Sequence, residues 1–152
     1  MTASPDTNDP MSVAFAEARA AAARGEAPIG AAVVRDGAVI ARAGNRARER
    51  ADPTAHAEIV AIREAAARLQ SERLVGCDLY VTLEPCAMCA GAIAHARIRR
   101  LYYAAPDAKG GAVDHGPRLF GQPTCHHAPE VYGGIRESEA AAILRAFFAA
   151  KR

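Results

Sequence analysis

Two short stretches, His56-Ala57-Glu58 and Pro85-Cys86-Ala87-Met88-Cys89, carry residue types and spacings suited to metal-assisted hydrolysis. Thiolates at i and i+3 can reach one tetrahedral ion from the first turn of a helix, and an imidazole from elsewhere supplies a third bond. Three protein ligands leave a fourth position for water, which is the layout of a catalytic rather than a structural zinc site. Glu58 lies two residues after His56, a spacing that can hold a carboxylate near the ion without binding it. A carboxylate there can take a proton from water and hand it to a leaving group. His56, Cys86 and Cys89 are therefore the expected zinc ligands, with one Zn2+ per subunit, and Glu58 the expected catalytic acid/base.

Blander roles use fewer of these residues. A structural zinc knot needs four protein ligands, and the remaining cysteines, Cys77 and Cys125, have no paired spacing. A thioredoxin-like pair would leave His56 and Glu58 without a role, and two buried structural thiols would leave Pro85 and Glu58 without one.

The elements that must position these groups can be read along the chain. Asp9 and Pro10 form an N-cap and N1 pair for a helix running to about Arg24, where Gly25 is a natural stop. Ile29 to Arg35 reads as a buried strand, Asp36-Gly37 as a tight hairpin turn and Ala38 to Ala43 as the partner strand. A second helix starts near Ala57, with Ile59, Ile62, Ala66 and Leu69 on one face. A third strand, Asp78 to Leu83, is stopped by Pro85, and a third helix runs from Cys86 to about Ala96. Leu101 to Ala104 gives a fourth strand and Val131 to Gly133 a short fifth. A last helix from about Ser138 to Ala150 has the apolar stripe Ile143, Leu144, Phe147 and Phe148. Glu137 and Glu139 suit its positive end, and Lys151 and Arg152 its negative end. Between Ala105 and Pro129 the periodicity gives way to glycines and prolines. Alternating strands and helices predict an α/β layered domain whose later strands are parallel. His56 and Cys86 both fall where a connection enters a helix, so two helix N-termini can converge beyond the strand ends and favour thiolates there.

Composition bounds the setting. The chain has 152 residues, of which 51% are hydrophobic and 24% charged, as expected for one globular domain, with residues 1–9 expected to be flexible. A net charge of +2 is too mild for non-specific coating of nucleic acid, so any such contact should be local and shaped. Four cysteines, two assigned to the metal, suit a reducing compartment. No apolar leader and no membrane-spanning run is visible, so a cytoplasmic location without membrane attachment is expected.

The order H-x-E then P-C-x-x-C resembles the signature of zinc nucleobase deaminases. The longer runs are more specific: Pro28-Ile29-Gly30-Ala31, Gly44-Asn45, Asp52 to Ile59, Leu79 to Ala92, Ala96-Arg97-Ile98, Asp107-Ala108-Lys109 and the ending Phe147-Phe148 with Lys151-Arg152. Together they resemble the bacterial tRNA-specific adenosine deaminases from about Ala14 to Arg152. The resemblance implies a three-layer α/β/α cytidine-deaminase-like fold with a central mixed five-stranded sheet. It implies hydrolytic deamination of the wobble adenosine in a tRNA anticodon stem-loop to inosine, with attack at C6 and Glu58 passing protons to N1 and the departing amine. It places Asn45, the Ala57 backbone and Ile29 against the base. It also places Asp107, Lys109, Phe147, Phe148, Lys151 and Arg152 on the RNA, and implies a homodimer whose anticodon pocket takes groups from both subunits.

An anticodon loop has a physical fit to such a site, because its bases are single-stranded and can be splayed into a pocket. Arg97, Arg99, Arg100, Lys109, Lys151 and Arg152 could as a set contact phosphates, although each alone reads better as a solvated side chain. Asp107, after Pro106, has an equal reading as a turn former. The chain departs from the family's frequent pattern at Lys109-Gly110-Gly111, Ala104-Ala105 and Cys125-His126. His126 and His127 read as loop histidines, since neighbouring residues rarely aim at one ion. Two other functions compete: deamination of a free base or nucleoside of guanine or cytosine type on the same fold, and a zinc-stabilised RNA-binding module without chemistry. Glu58 speaks against the second, because a structural site has no use for a non-ligand acid.

Overall fold

The computed structural model describes residues 9–150. Lys151 and Arg152, and the expectation for residues 1–8, lie outside the described residues. Asp9 caps the first helix, α1 (Pro10–Ala23), accepting the Met11 N–H at 3.2 Å, and Pro10 occupies its first turn, where a missing N–H costs nothing. Strands β1 (Gly30–Arg35) and β2 (Ala38–Gly44) form a hairpin through Asp36-Gly37, both at positive φ, as a tight two-residue turn demands. Helix α2 (Ala57–Leu69), strand β3 (Cys77–Leu83), helix α3 (Ala87–Ala96) and strand β4 (Arg100–Ala105) follow. After a 3-10 turn at Leu119–Gly121 come strand β5 (Glu130–Tyr132) and helix α4 (Glu137–Ala150).

The five strands make one mixed sheet in the order β2-β1-β3-β4-β5. Strand β1 is antiparallel to both β2 and β3, whereas β3, β4 and β5 are parallel, as the later alternation of strand and helix predicts. Side-chain alternation divides the core into two layers. On one face Leu79, Val81, Leu101 and Tyr103 pack with Val60 and Ala61 of α2 and Ala90 and Ile93 of α3. On the other, Tyr80 and Tyr102 pack with Met11 and Phe15 of α1 and Ile143 and Leu144 of α4. The architecture is the expected α/β/α sandwich.

Helix α1 reaches the sheet unusually closely. A Cβ on Gly30 would sit 1.9 Å from the Ala14 carbonyl oxygen, so only glycine admits this contact. Tyr80, Tyr102 and Tyr132 occupy equivalent registers on β3, β4 and β5 and stack as a ladder, with centroids 4.4 and 5.1 Å apart.

Most element boundaries agree with the sequence expectation within one residue. The apolar stripe of α4 divides, however. Ile143 and Leu144 pack on the core and Phe147 is half-buried, but Phe148 is 56% exposed. Phe147 and Phe148 follow Ile143 and Leu144 by one turn, and in this last turn the helix no longer has the core cluster beneath both rings. Instead they meet edge to face, with centroids 5.4 Å apart. Among the described residues, no helix is long and apolar enough to cross a membrane.

Candidate active site

His56 and Cys86 are the N-cap residues of α2 and α3, each in extended conformation and neither using its side chain to cap. Both side chains are thereby free to turn away from their own helices. Cys89 follows in the first turn of α3 and is buried. The His56 Nδ1 lies 3.6 Å from the Cys86 Sγ and 3.5 Å from the Cys89 Sγ. All three donor atoms fall within 4.8 Å of one another, the one such group of three or more among the described residues. Bonds of about 2.0 Å to nitrogen and 2.3 Å to sulfur at a tetrahedral angle separate N from S by about 3.5 Å, so the donor set fits zinc. One imidazole and two thiols also match zinc's ligand preference.

Cys86 is the more acidic thiol. The hydrogen bond from the Cys89 side chain lowers it to about 5, helped by the Cys89 backbone N–H and by His56, while burial opposes. Cys89 is correspondingly pushed up by the same pairing and by burial. Glu58, in the first turn of α2, is 4% exposed. Burial pushes its carboxyl up to about 7. Its own backbone N–H opposes the shift, the Cys86 thiolate adds to it, and His56 lowers it. A carboxyl that titrates near neutrality can both accept and release a proton in one cycle.

The expected base-contacting residues lie around the start of α2. The Asn45 N–H donates to the Ile29 carbonyl at 3.1 Å, and the Arg46 N–H to the Ala55 carbonyl at 2.9 Å, one residue before His56. Asn45 is buried, Ala57 fully so, and Ile29 packs half-buried against the cluster that contains Ala57. Sequence reasoning missed the group beneath them. Glu26 is 2% exposed and accepts the N–H groups of Arg48 at 3.1 Å and Glu49 at 2.6 Å. Burial alone would raise its pKa; those two donors, the Asn45 side chain and Arg24 outweigh it and hold the carboxyl below its ordinary range.

Asp107 and Lys109 lie on the loop after β4. The Asp107 carboxylate accepts the N–H groups of Lys109 at 3.1 Å and Gly110 at 3.0 Å, the turn geometry that its neighbour Pro106 suggests. Lys109 is exposed. This loop hangs on Glu84, a second buried carboxylate that sequence reasoning passed over; its only signal was a charged residue between a strand and the Pro85-Cys86 pair. Phe147 and Phe148 lie at the end of α4, across the sheet from α2 and α3. Of the loop histidines, His127 hydrogen-bonds the Ile98 carbonyl at 2.7 Å, and His126 lines a cavity of about 210 Å³ against α3 with His95, Arg97 and Cys125.

Comparison with known proteins agrees with this chemistry. Residues 5–105 match the family model of the cytidine and deoxycytidylate deaminase zinc-binding region. The chain is 66% identical over 142 residues to a tRNA-specific adenosine deaminase of Agrobacterium fabrum, covering 93% of each chain. It superposes with a TM-score of 0.88 and 65% identity on a structure from a study of A-to-I editing by tRNA:A34 deaminases, covering 89% of this chain and 98% of that one. A guanine deaminase from Nitrosomonas europaea is similar at a TM-score of 0.79 and 28% identity, over 98% of this chain and 87% of its own.

Proposed function

Because the chain belongs to the zinc-binding cytidine and deoxycytidylate deaminase family, among its tRNA-specific adenosine deaminases, we propose that it converts adenosine to inosine at the wobble position of a tRNA anticodon loop. The observation that carries this reading is the coincidence of His56, Cys86 and Cys89 at metal-ligand distances with a buried acid, Glu58, beside them. His56, Cys86 and Cys89 hold the zinc, which when bound supplies Lewis-acid activation of water. Glu58 takes a proton from the attacking water, delivers it to adenine N1, and carries a second proton to the exocyclic amine. A C6–O bond forms, the C6–N6 bond breaks, and ammonia leaves. Asn45, Ile29 and the Ala57 backbone hold the base. Asp107, Lys109, Phe147, Phe148, Lys151 and Arg152 contact the RNA around it.

The protein acts as a homodimer in the cytoplasm, with the anticodon pocket completed by the partner subunit. The family resemblance supports the dimer. The four cysteines are unpaired, which supports a reducing compartment.

The test is inosine formation by the zinc-replete protein on an anticodon stem-loop with adenosine at the wobble position, with free adenosine, guanine and cytosine in parallel. Conversion of the stem-loop is the expected result. Conversion of guanine alone would transfer the assignment to the guanine deaminase type that the 28% identical structure represents. In the same assay Glu58→Gln should lower turnover by roughly 10³-fold while zinc content and fold persist. A fully active variant would overturn the proton-transfer role.

A further inference from the structure

Glu84 is the last residue of the sequence Leu83-Glu84 before Pro85 and Cys86, and its side chain is fully buried. A buried carboxylate has room for about four acceptor sites, and each must be filled to offset the loss of water. Here every donor comes from one remote loop. Oε1 accepts the Asp107 N–H at 3.0 Å and the His115 Nδ1 at 2.7 Å. Oε2 accepts the N–H groups of Val113, Asp114 and His115 at 3.1, 2.9 and 3.1 Å. The Ala112 N–H donates to the Pro85 carbonyl at 2.9 Å, beside Cys86. Asp114 also accepts the Tyr103 hydroxyl from β4. The loop closes so tightly that a Cβ on Gly111 would lie 2.5 Å from both the Glu84 carboxylate and the Asp107 carbonyl oxygen.

We propose that Glu84 is a positioning residue for substrate binding: its carboxylate ties residues 107–115 to the Cys86 end of β3 and so sets Asp107 and Lys109 relative to the metal ligands. The proposal rests on the reading of those two residues as RNA contacts. Glu84 touches neither substrate nor metal ligand in this role; it acts through the loop. No other side chain serves as well. Glutamine has the right length but replaces one acceptor oxygen with an NH2, which would face two or three N–H donors whichever way the amide turns. Aspartate is one methylene too short to meet both ends of the loop.

The consequence is a split between binding and chemistry. Glu58 and the three ligands take part in none of these hydrogen bonds, so the bound base should react at its normal rate once seated. With the anticodon stem-loop as substrate, Glu84→Gln should raise KM by about tenfold or more and change kcat by less than about threefold, with zinc at one per chain. Gly111→Ala disturbs the same contact from the loop side while keeping the Glu84 carboxylate chemically intact. It should give the same KM-dominated pattern, and it keeps the test open if Glu84→Gln does not fold. Any other result in the soluble variants overturns the proposal: an unchanged KM, or kcat and zinc content falling together as for damage at Cys86. Failure of both variants to fold would make Glu84 a fold determinant and overturn it as well. Absence of stem-loop turnover by the unsubstituted protein would instead overturn the RNA reading, which the same assay reports separately.

Discussion

Glu26 and Glu84 are buried carboxylates held chiefly by backbone N–H groups from loops, with the His115 ring added at Glu84 and Asn45 and Arg24 helping at Glu26. Such groups store part of the fold's stability in their ionised form. The Glu26 carboxyl is held below its ordinary value of 4.5 by those donors. A depressed folded pKa contributes stability that is fully present above the unfolded value and is lost as pH falls through the folded one. Thermal melts should therefore show Glu26→Gln less stable than the parent near neutrality, with the gap closing as pH drops below about 4.5. A gap that stays constant down to pH 3 would remove Glu26 from the acid response. The metal ligands and Glu58 were legible in the sequence because they fall within two stretches of a few residues each, with fixed spacing. Glu26 and Glu84 were not, because their backbone donors lie more than twenty residues away and only folding brings them in.

At the scale of elements, the α-helices and strands were foreseen in the sequence, the 3-10 turn at Leu119–Gly121 was not, and the structure moved most ends by a single residue. The stretch from 106 to 129 was opaque for a physical reason. Its first part satisfies its backbone groups on Glu84 and Pro85 instead of on a repeating partner, so no period appears in the sequence. The contact between α1 and β1 makes the opposite point: a single glycine decides how close two elements come. Gly30→Ala forces a methyl group against the Ala14 carbonyl, where no side chain can rotate away. Overpacking of this kind costs typically 1–3 kcal/mol, and about 3 kcal/mol is expected here because the clash is with backbone. Calorimetry should show Tm falling by roughly 10 °C, and a change under about 2 °C would mean that α1 can shift outward freely.

For the whole molecule, the sheet order brings α2 and α3 side by side on one face, so that two helix N-termini present His56, Glu58, Cys86 and Cys89 to a common point. The basic residues proposed to meet RNA are few, in keeping with a net charge of only +2. Stem-loop affinity should accordingly fall linearly with salt on logarithmic axes, with a slope of about −0.7 for each phosphate neutralised on a single strand. A flat response in a filter-binding or anisotropy titration would remove phosphate contacts from the interface. The sequence indicated a pocket for an unstacked base but could not show how the loop beyond β4 is anchored, since that depends on the finished sheet. The tyrosine ladder has an optical consequence. The chain contains no tryptophan and four tyrosines, three of them in the single stack that spans β3, β4 and β5. Stacked phenol rings couple their transitions, so the near-ultraviolet circular dichroism of the unlabelled protein should change when the short edge strand undocks and takes Tyr132 out of the stack.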